Sequence, residues 1–266
     1  LPARAAPDSK SPSAMPDAVH PASCARADER PSPAPVLRKP AIAVVIPALD
    51  EAANIGAALA SIADRACAVV LADGGSVDAT VSIAAATGAL IITAPRGRAS
   101  QMNAGAAALP DGWDVVLFLH ADTALPPDWD LAVARAVAGG ASWGRFDVRL
   151  PSRRRLIALV AFLINARSRL TGICTGDQAI FVSAAAWQQV GGFPPIALME
   201  DIELSARLRR LAGSPASLRQ KVASSARRWE RAGVLRTIVA MWLLRLRYFV
   251  GESPDSLHRR YYGRPR

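Results

Sequence analysis

The first sustained pattern in the chain is a run of apolar, largely β-branched positions, Ala41-Ile42-Ala43-Val44-Val45-Ile46, closed by Pro47. Short runs of the same kind recur at Ala68-Val69-Val70-Leu71-Ala72, Ala89-Leu90-Ile91-Ile92 and Val115-Val116-Leu117-Phe118-Leu119. Continuous apolar runs of this length suit strands covered on both faces. Between them lie alanine-rich stretches of helical length, over residues 51–63, 77–87 and 99–109. Strand alternating with helix at this spacing predicts right-handed crossovers and a mostly parallel sheet, an α/β fold. Further on the pattern loosens. Arg145-Phe146-Asp147-Val148-Arg149-Leu150 alternates polar and apolar, as a half-exposed strand does. Residues 178–182 read as another strand, 202–212 as a helix and 231–250 as a longer one.

Composition changes the picture at the N-terminus. Residues 1–40 hold nine of the 20 prolines and nine alanines, with no apolar periodicity. Such a segment buries too little surface to offset chain entropy, so a disordered leader is expected there and one folded domain over 41–266. Apolar residues at 51% and charged residues at 20% exclude a wholly disordered chain of 266 residues. The formal net charge is +10, and residues 200–266 carry fifteen basic against six acidic side chains while the middle is near neutral. A basic last quarter favours an anionic partner: a membrane surface, a nucleotide or a nucleic acid. Three scattered cysteines, Cys24, Cys67 and Cys174, support neither a disulfide framework nor a zinc site, and a reduced cytoplasmic setting is expected. No uncharged apolar stretch reaches about 18 residues, and the first residues show no apolar run of the secretory kind.

The candidate chemistry lies just after the strands. An open parallel sheet binds ligands beyond the carboxyl ends of its strands. After the first strand comes Pro47-Ala48-Leu49-Asp50-Glu51; after the second, Asp73-Gly74-Gly75-Ser76-Val77-Asp78; after the fourth, His120-Ala121-Asp122. The third is followed by Arg96-Gly97-Arg98. Acidic groups can hold a divalent cation, a ribose or a base, and arginines can face phosphate. Taken singly, Asp50, Asp73, Ser76 or Asp78 could cap a helix, and Arg96 and Arg98 could be surface charges. The signal is their convergence on one edge of the sheet.

In that order these motifs resemble the family 2 glycosyltransferases of the GT-A fold. Within them, Arg96-Gly97-Arg98-Ala99-Ser100-Gln101-Met102-Asn103-Ala104-Gly105 and Leu119-His120-Ala121-Asp122-Thr123 resemble a bacterial branch of the selenodomain- or radical-SAM-associated type. The similarity spans residues 41–263. It implies a nucleotide-diphosphate sugar donor, with Pro47, Leu49 and Glu51 lining the nucleotide pocket and Asp73 bonding the base. It also implies that the segment from Arg96 to Asn103 crosses the sugar-diphosphate, with Gln101 and Asn103 meeting ribose or sugar hydroxyls. His120-Ala121-Asp122 stands where the family carries Asp-x-Asp, with His replacing the first Asp. Asp122 is then the expected ligand of Mg²⁺ or Mn²⁺ and His120 a second ligand or a ribose contact; imidazole favours Mn²⁺.

Further along, the resemblance assigns Asp201 of Met199-Glu200-Asp201-Ile202-Glu203 as general base, Glu200 as its neighbour and Asp177 as acceptor-side support or alternative base. Acidic residues in a first helical turn are also favoured by the helix dipole alone. Gly191-Gly192-Phe193 is similar to the family's flexible acceptor loop. In Ala226-Arg227-Arg228-Trp229-Glu230, Arg228 is expected to close over the diphosphate with Trp229 beneath it, or else to lie on the surface over a core tryptophan.

Residues 234–250 are apolar nearly all round the helical wheel apart from Arg236, Arg245 and Arg247, and Arg153-Arg154-Arg155 precedes a second apolar segment, 156–164. Both segments could be core; with the basic patch they favour a peripheral membrane position and a lipid-linked hydroxyl acceptor. No specific nucleic acid is expected. A dehydrogenase would want Gly-x-Gly-x-x-Gly after the first strand, which this chain lacks. A nucleotidyltransferase, and a non-enzymatic binder of membrane or nucleic acid, stand as rivals.

Overall fold

The computed structural model describes residues 38–263, so residues 1–37 of the expected leader lie outside the described residues. The elements run β1 (Ile42–Ala48), α1 (Ile55–Ile62), β2 (Ala68–Asp73), α2 (Thr80–Ala85), β3 (Leu90–Thr93), α3 (Arg98–Ala107), β4 (Val115–Phe118), β5 (Thr123–Ala124) and α4 (Trp129–Ala138). They continue with β6 (Trp143–Arg149), α5 (Arg155–Thr171), a 3₁₀ turn Gly176–Gln178, β7 (Ile180–Ser183), α6 (Ala184–Val190), α7 (Glu200–Ala212), β8 (Ala216–Ser224), α8 (Arg227–Ala232), α9 (Val234–Phe249) and α10 (Pro254–Tyr262).

The strands form one sheet in the order β3-β2-β1-β4-β7-β6-β8-β5. β1, β2, β3 and β4 are parallel, β6 and β8 are parallel, and β7 and β5 run antiparallel to their neighbours. From β1 the chain steps outward to β2 and β3, then returns to lay β4 on the other flank of β1. That reversal opens a crevice at the carboxyl ends of β1 and β4, the place where such sheets bind ligands. Pro47 sits inside β1 opposite Ala72 but beyond Val45, the last residue paired with β4, so its missing N–H breaks no bond of that ladder.

Both faces of the sheet are covered. Ile42, Val44 and Ile46 of β1 pack with Ile55, Leu59 and Ile62 of α1 and with Trp129 and Val133 of α4. Val45 points the other way, toward Met102 of α3 and, through Val116 and Phe118, toward α6 and α7. Two-sided burial is why these strands read as unbroken apolar runs rather than as alternation.

Two expectations are corrected. The β6 segment is buried along all but its last residue, with Arg145 0% exposed, rather than half-exposed. It lies between β7 and β8 with α5 across it, and its polar alternation is absorbed internally: Arg145 pairs with Asp147, which also takes Arg169 at 2.7 Å. The long helix over 231–250 is instead two helices, α8 and α9, divided at Gly233 with φ 81°.

Candidate active site

The loops after β1 and β2 are stitched together by short polar side chains. Ser76 Oγ donates to Asp73 Oδ1 at 2.5 Å and accepts from Asp50 N at 2.9 Å. Asp50 Oδ1 in turn accepts from Val77 N at 2.8 Å, and Glu51 N donates to Thr80 Oγ1 at 2.8 Å. Asp73 also accepts from the backbone N–H of Gly75 and Ser76. Its carboxylate therefore builds the turn. Arg96 is used similarly, with Nε donating to the Gly74 carbonyl at 3.2 Å.

Two further residues expected to contact a sugar are engaged with the backbone of the fold. Gln101 is buried, and its Nε2 donates to the carbonyls of Ala48 at 2.7 Å and Ala72 at 2.9 Å, tying α3 to the ends of β1 and β2. Asn103 exchanges two hydrogen bonds of 2.8 Å with the backbone of Phe193. Phe193 is buried with its ring 4.9 Å from Phe118 and 5.8 Å from Trp187, so Gly191-Gly192-Phe193 is fastened at its last residue where sequence suggests a flexible loop. Pro47 is buried within β1, and Leu49 lies exposed beyond it.

At the crevice itself, a cavity of about 890 Å³ is bordered by Glu51, Arg98, His120, Asp122, Asp177, Glu200 and Asp201. Seven of the expected site residues thus share one space. Pro47, Leu49, Asp73, Arg96, Gln101 and Asn103 do not border it. His120 lies so close to Gly176 that a Cβ there would stand 2.3 Å from its Nε2. Asp201 Oδ2 accepts from Gly176 N and Oδ1 from Ile202 N, each at 2.8 Å, which holds both oxygens in place. Glu200 stands 3.6 Å from Arg98, whose Nη2 donates to the Tyr262 hydroxyl at 2.8 Å. Burial, with the charge of Asp201 added, pushes the Glu200 carboxyl up to about 7, while Arg98 pulls it down. For Arg98, burial works to lower the guanidinium, but Tyr262, Glu200, Asp201 and Asp177 outweigh it and raise its pKa.

Asp50, Ala179 and Met199 hold left-handed backbone, with φ of 52°, 48° and 70°. Each lies within two residues of Glu51, Asp177 or Asp201. Strained backbone of this kind gathers where the surrounding structure fixes a site.

Sequence reasoning singles out Arg228 and not its neighbour Arg227. Arg228 lies on α8, and its side chain is outside the described residues. Arg227 donates to Glu51 Oε1 at 3.2 Å and Oε2 at 3.0 Å, and stands 3.8 Å from Asp122 Oδ2. The pairing of β5 with β8 delivers it: Thr123 lies opposite Ser224, and Ser225 N donates to the Asp122 carbonyl at 3.1 Å. Sequence alone does not mark Arg227; the register of β8 places it. Trp229 borders the cavity and also packs against the core.

As for a metal, no cluster of three or more His, Cys, Asp or Glu side chains forms a ready cage among the described residues. A Mg²⁺ or Mn²⁺ ion that arrives with a diphosphate needs only one or two protein ligands, phosphate oxygens and water supplying the rest. Asp122, with His120 on the same cavity, fits that smaller demand.

The profile of the family described as "Glycosyl transferase family 2" matches residues 43–181. No curated protein matches the chain. Among solved structures, glucosyl-3-phosphoglycerate synthase from Mycobacterium tuberculosis, in complex with Mn²⁺, uridine-diphosphate and glucosyl-3-phosphoglycerate, superposes with a TM-score of 0.53 at 20% identity, covering 77% of this chain and 79% of that one. The same synthase with Mn²⁺, uridine-diphosphate-glucose and phosphoglyceric acid gives 0.56 at 22% identity, covering 77% and 79%. S. aureus TarS gives 0.54 at 15% identity, covering 70% of this chain and 60% of that one. At such identities the likeness is one of fold.

Proposed function

The chain belongs to glycosyl transferase family 2, and on that premise we propose that it moves a sugar from a nucleotide-diphosphate donor to a hydroxyl acceptor, with inversion at the anomeric carbon. One observation carries the reading: Glu51, Asp122 and Arg227 border the same cavity as Asp177, Glu200 and Asp201. In the first group Arg227 suits a diphosphate and Asp122 the cation that accompanies it; the second group suits a reacting hydroxyl. The nucleotidyltransferase and non-enzymatic readings fall away with the family.

In this reading the nucleoside lies over the turn that Asp73 builds, beside Leu49 and Glu51. The diphosphate lies against Arg227, whose planar fork gives charge-assisted hydrogen bonds to two phosphate oxygens. Asp122, with His120, would hold a divalent cation, Mn²⁺ or Mg²⁺, which offsets charge on the departing diphosphate when bound. The acceptor oxygen attacks the anomeric carbon as the bond to the diphosphate oxygen breaks. The hydroxyl proton passes to Asp201, and the nucleoside diphosphate leaves with the bonding pair. Asp177 serves the acceptor side. Support for Asp201 is its fixed orientation on two backbone N–H groups.

The reading extends to location. Leu159, Phe162 and Leu163 of α5 and Trp242, Leu246 and Phe249 of α9 are exposed, beside Arg153, Arg154, Arg155 and Arg236. Among the described residues no helix is long and apolar enough to cross a membrane. A peripheral position on the anionic inner face of a membrane suits that surface, with a lipid-linked acceptor reaching the cavity between the two helices.

A two-arm experiment tests the chemistry, with uridine- and guanosine-diphosphate sugars as donors. Asp201→Asn keeps shape but cannot take a proton, so turnover should fall on the order of 10²–10⁴-fold with donor affinity within a few-fold. Asp122→Ala should lose the part of nucleotide affinity that depends on the cation. Wild-type turnover in the first variant removes Asp201 from the step, and unchanged cation dependence in the second removes Asp122.

A further inference from the structure

The cavity has a third set of polar groups that the donor and the base leave unused. Arg167 of α5 and Arg245 of α9 both border it. On α5, Val160, Leu163, Ile164, Arg167, Leu170 and Thr171 fall at helical spacing and form one stripe along the cavity. On α9, Ile238, Met241, Trp242 and Arg245 form the facing stripe. An apolar cleft between two helices thus carries one arginine from each wall.

Neither arginine is satisfied by the protein. Arg167 Nη2 and Arg245 Nε are buried and have no hydrogen-bond partner. Neither forms an ion pair within 4.0 Å among the described residues; the carboxylates of Glu200, Glu51 and Asp122 pair with Arg98 and Arg227 instead. The carboxylates of Asp201 and Asp177 act on Arg167 through space without forming an ion pair with it, and the oxygens of Asp201 are held by the N–H groups of Gly176 and Ile202. Burial and the like charge of Arg245 lower the Arg167 guanidinium to about 10, so it stays charged at neutral pH. Two mutually repelling cations with unmade hydrogen bonds lower stability. A fold keeps such an arrangement where a ligand completes it.

We propose that Arg167 and Arg245 form an acceptor subsite for an oxyanion, a phosphate or carboxylate carried by the acceptor, seated beside Asp201. This rests on the transferase reading above and names the chemical class of its acceptor. The guanidinium forks match either oxyanion, and the anion cancels the repulsion between them. Held there, an acceptor also presents its hydroxyl next to the group that takes the proton. The anion can be lipid-borne, with its chain along the apolar stripes, or part of a soluble molecule; the chemistry at the two arginines is the same.

The test titrates the full chain calorimetrically with inorganic phosphate and with dodecyl phosphate, in UDP-free and UDP-saturated protein. Binding of at least one probe is expected, weakened about tenfold or more by Arg167→Gln and by Arg245→Gln, and unaltered by Arg135→Gln on α4. Without phosphate, the thermal midpoint of Arg245→Gln should be equal to or above that of wild type, because repulsion is removed. A merely structural arginine would lower it. Where a neutral variant fails to fold, Arg167→Lys keeps the charge but loses the planar fork, and weaker phosphate binding is expected there too. Affinity indifferent to Arg167→Gln, Arg245→Gln and Arg167→Lys overturns the subsite, as does the absence of binding by both probes. Dodecyl phosphate binding about tenfold or more tighter than phosphate marks a lipid-borne anion, and equal affinity marks a soluble one; both uphold the subsite. UDP binding, read in the same samples, separates the two claims. If UDP fails to bind while the arginine dependence persists, the donor reading falls and the anion site stands.

Discussion

Glu200 and Asp201 are neighbours in sequence with opposite surroundings. Glu200 is 4% exposed beside Arg98, and burial followed by the charge of Asp201 raises its carboxyl from 4.5 to about 7. Between those values the folded chain binds more protons at Glu200 than the unfolded chain does. Stability contributed by this residue is therefore present below about pH 4.5 and falls as pH rises toward 7. Glu200→Gln, which cannot ionise, should raise the thermal midpoint above wild type at pH beyond about 7 and make little difference below 4.5. Melting curves across that range check it; a midpoint below wild type at every pH would mean that the Arg98 pair dominates. Gln101 and Asn103 make a complementary point. Their amides sit one turn into a helix that flanks the site, yet each closes hydrogen bonds to backbone carbonyls or N–H groups elsewhere.

At the level of elements, the site depends on how closely α3 lies on the sheet. Gly105 faces β1, and a Cβ there would stand 2.4 Å from Val45 Cγ1, in a strand with no room to yield. That close approach lets Gln101 reach the ends of β1 and β2 and sets Arg98 beside Glu200. Gly105→Ala should destabilise the protein: overpacking costs about 1–3 kcal/mol, and the better helix propensity of alanine returns at most about 1 kcal/mol. Urea unfolding measures the difference, and a stabilised variant would show that α3 can lift without loss. The short β5 matters out of proportion to its two residues, since its pairing with β8 carries α8, and with it Arg227, to Glu51 and Asp122.

Across the whole molecule, a GT-A sheet supplies the crevice, and α5 and α9 supply a wall. α5 and α9 turn apolar residues both into the cavity and out toward solvent, with Phe162 65% and Phe249 72% exposed. With the excess of basic residues after position 200, this surface should bind vesicles containing phosphatidylglycerol more tightly than vesicles of phosphatidylcholine alone, and less tightly as salt rises. Phe162→Ser with Phe249→Ser should weaken co-sedimentation, the apolar part of the contact being removed. Equal sedimentation with neutral and anionic vesicles would count against a membrane-facing role.

The central strands and their helices were legible in the chain because two-sided burial writes itself as continuous apolar runs, a local signal. Glu51, His120 and Asp122 could be picked out for the same reason: each follows a strand directly, and the topology rule says where such residues go. The family resemblance, carried by motifs in a fixed order, brought Asp177, Glu200 and Asp201 to the same cavity, although they come from a 3₁₀ turn and a helix far along the chain. Tertiary structure decided the rest. Burial of β6 came from neighbours on both sides, so its alternating sequence misrepresented its exposure. The β5–β8 register settled that Arg227 meets Glu51 and Asp122. Arg167 and Arg245 are 78 positions apart, and no local pattern relates them. They meet only because α5 and α9 wall the same cavity, a long-range contact that sequence periodicity does not encode.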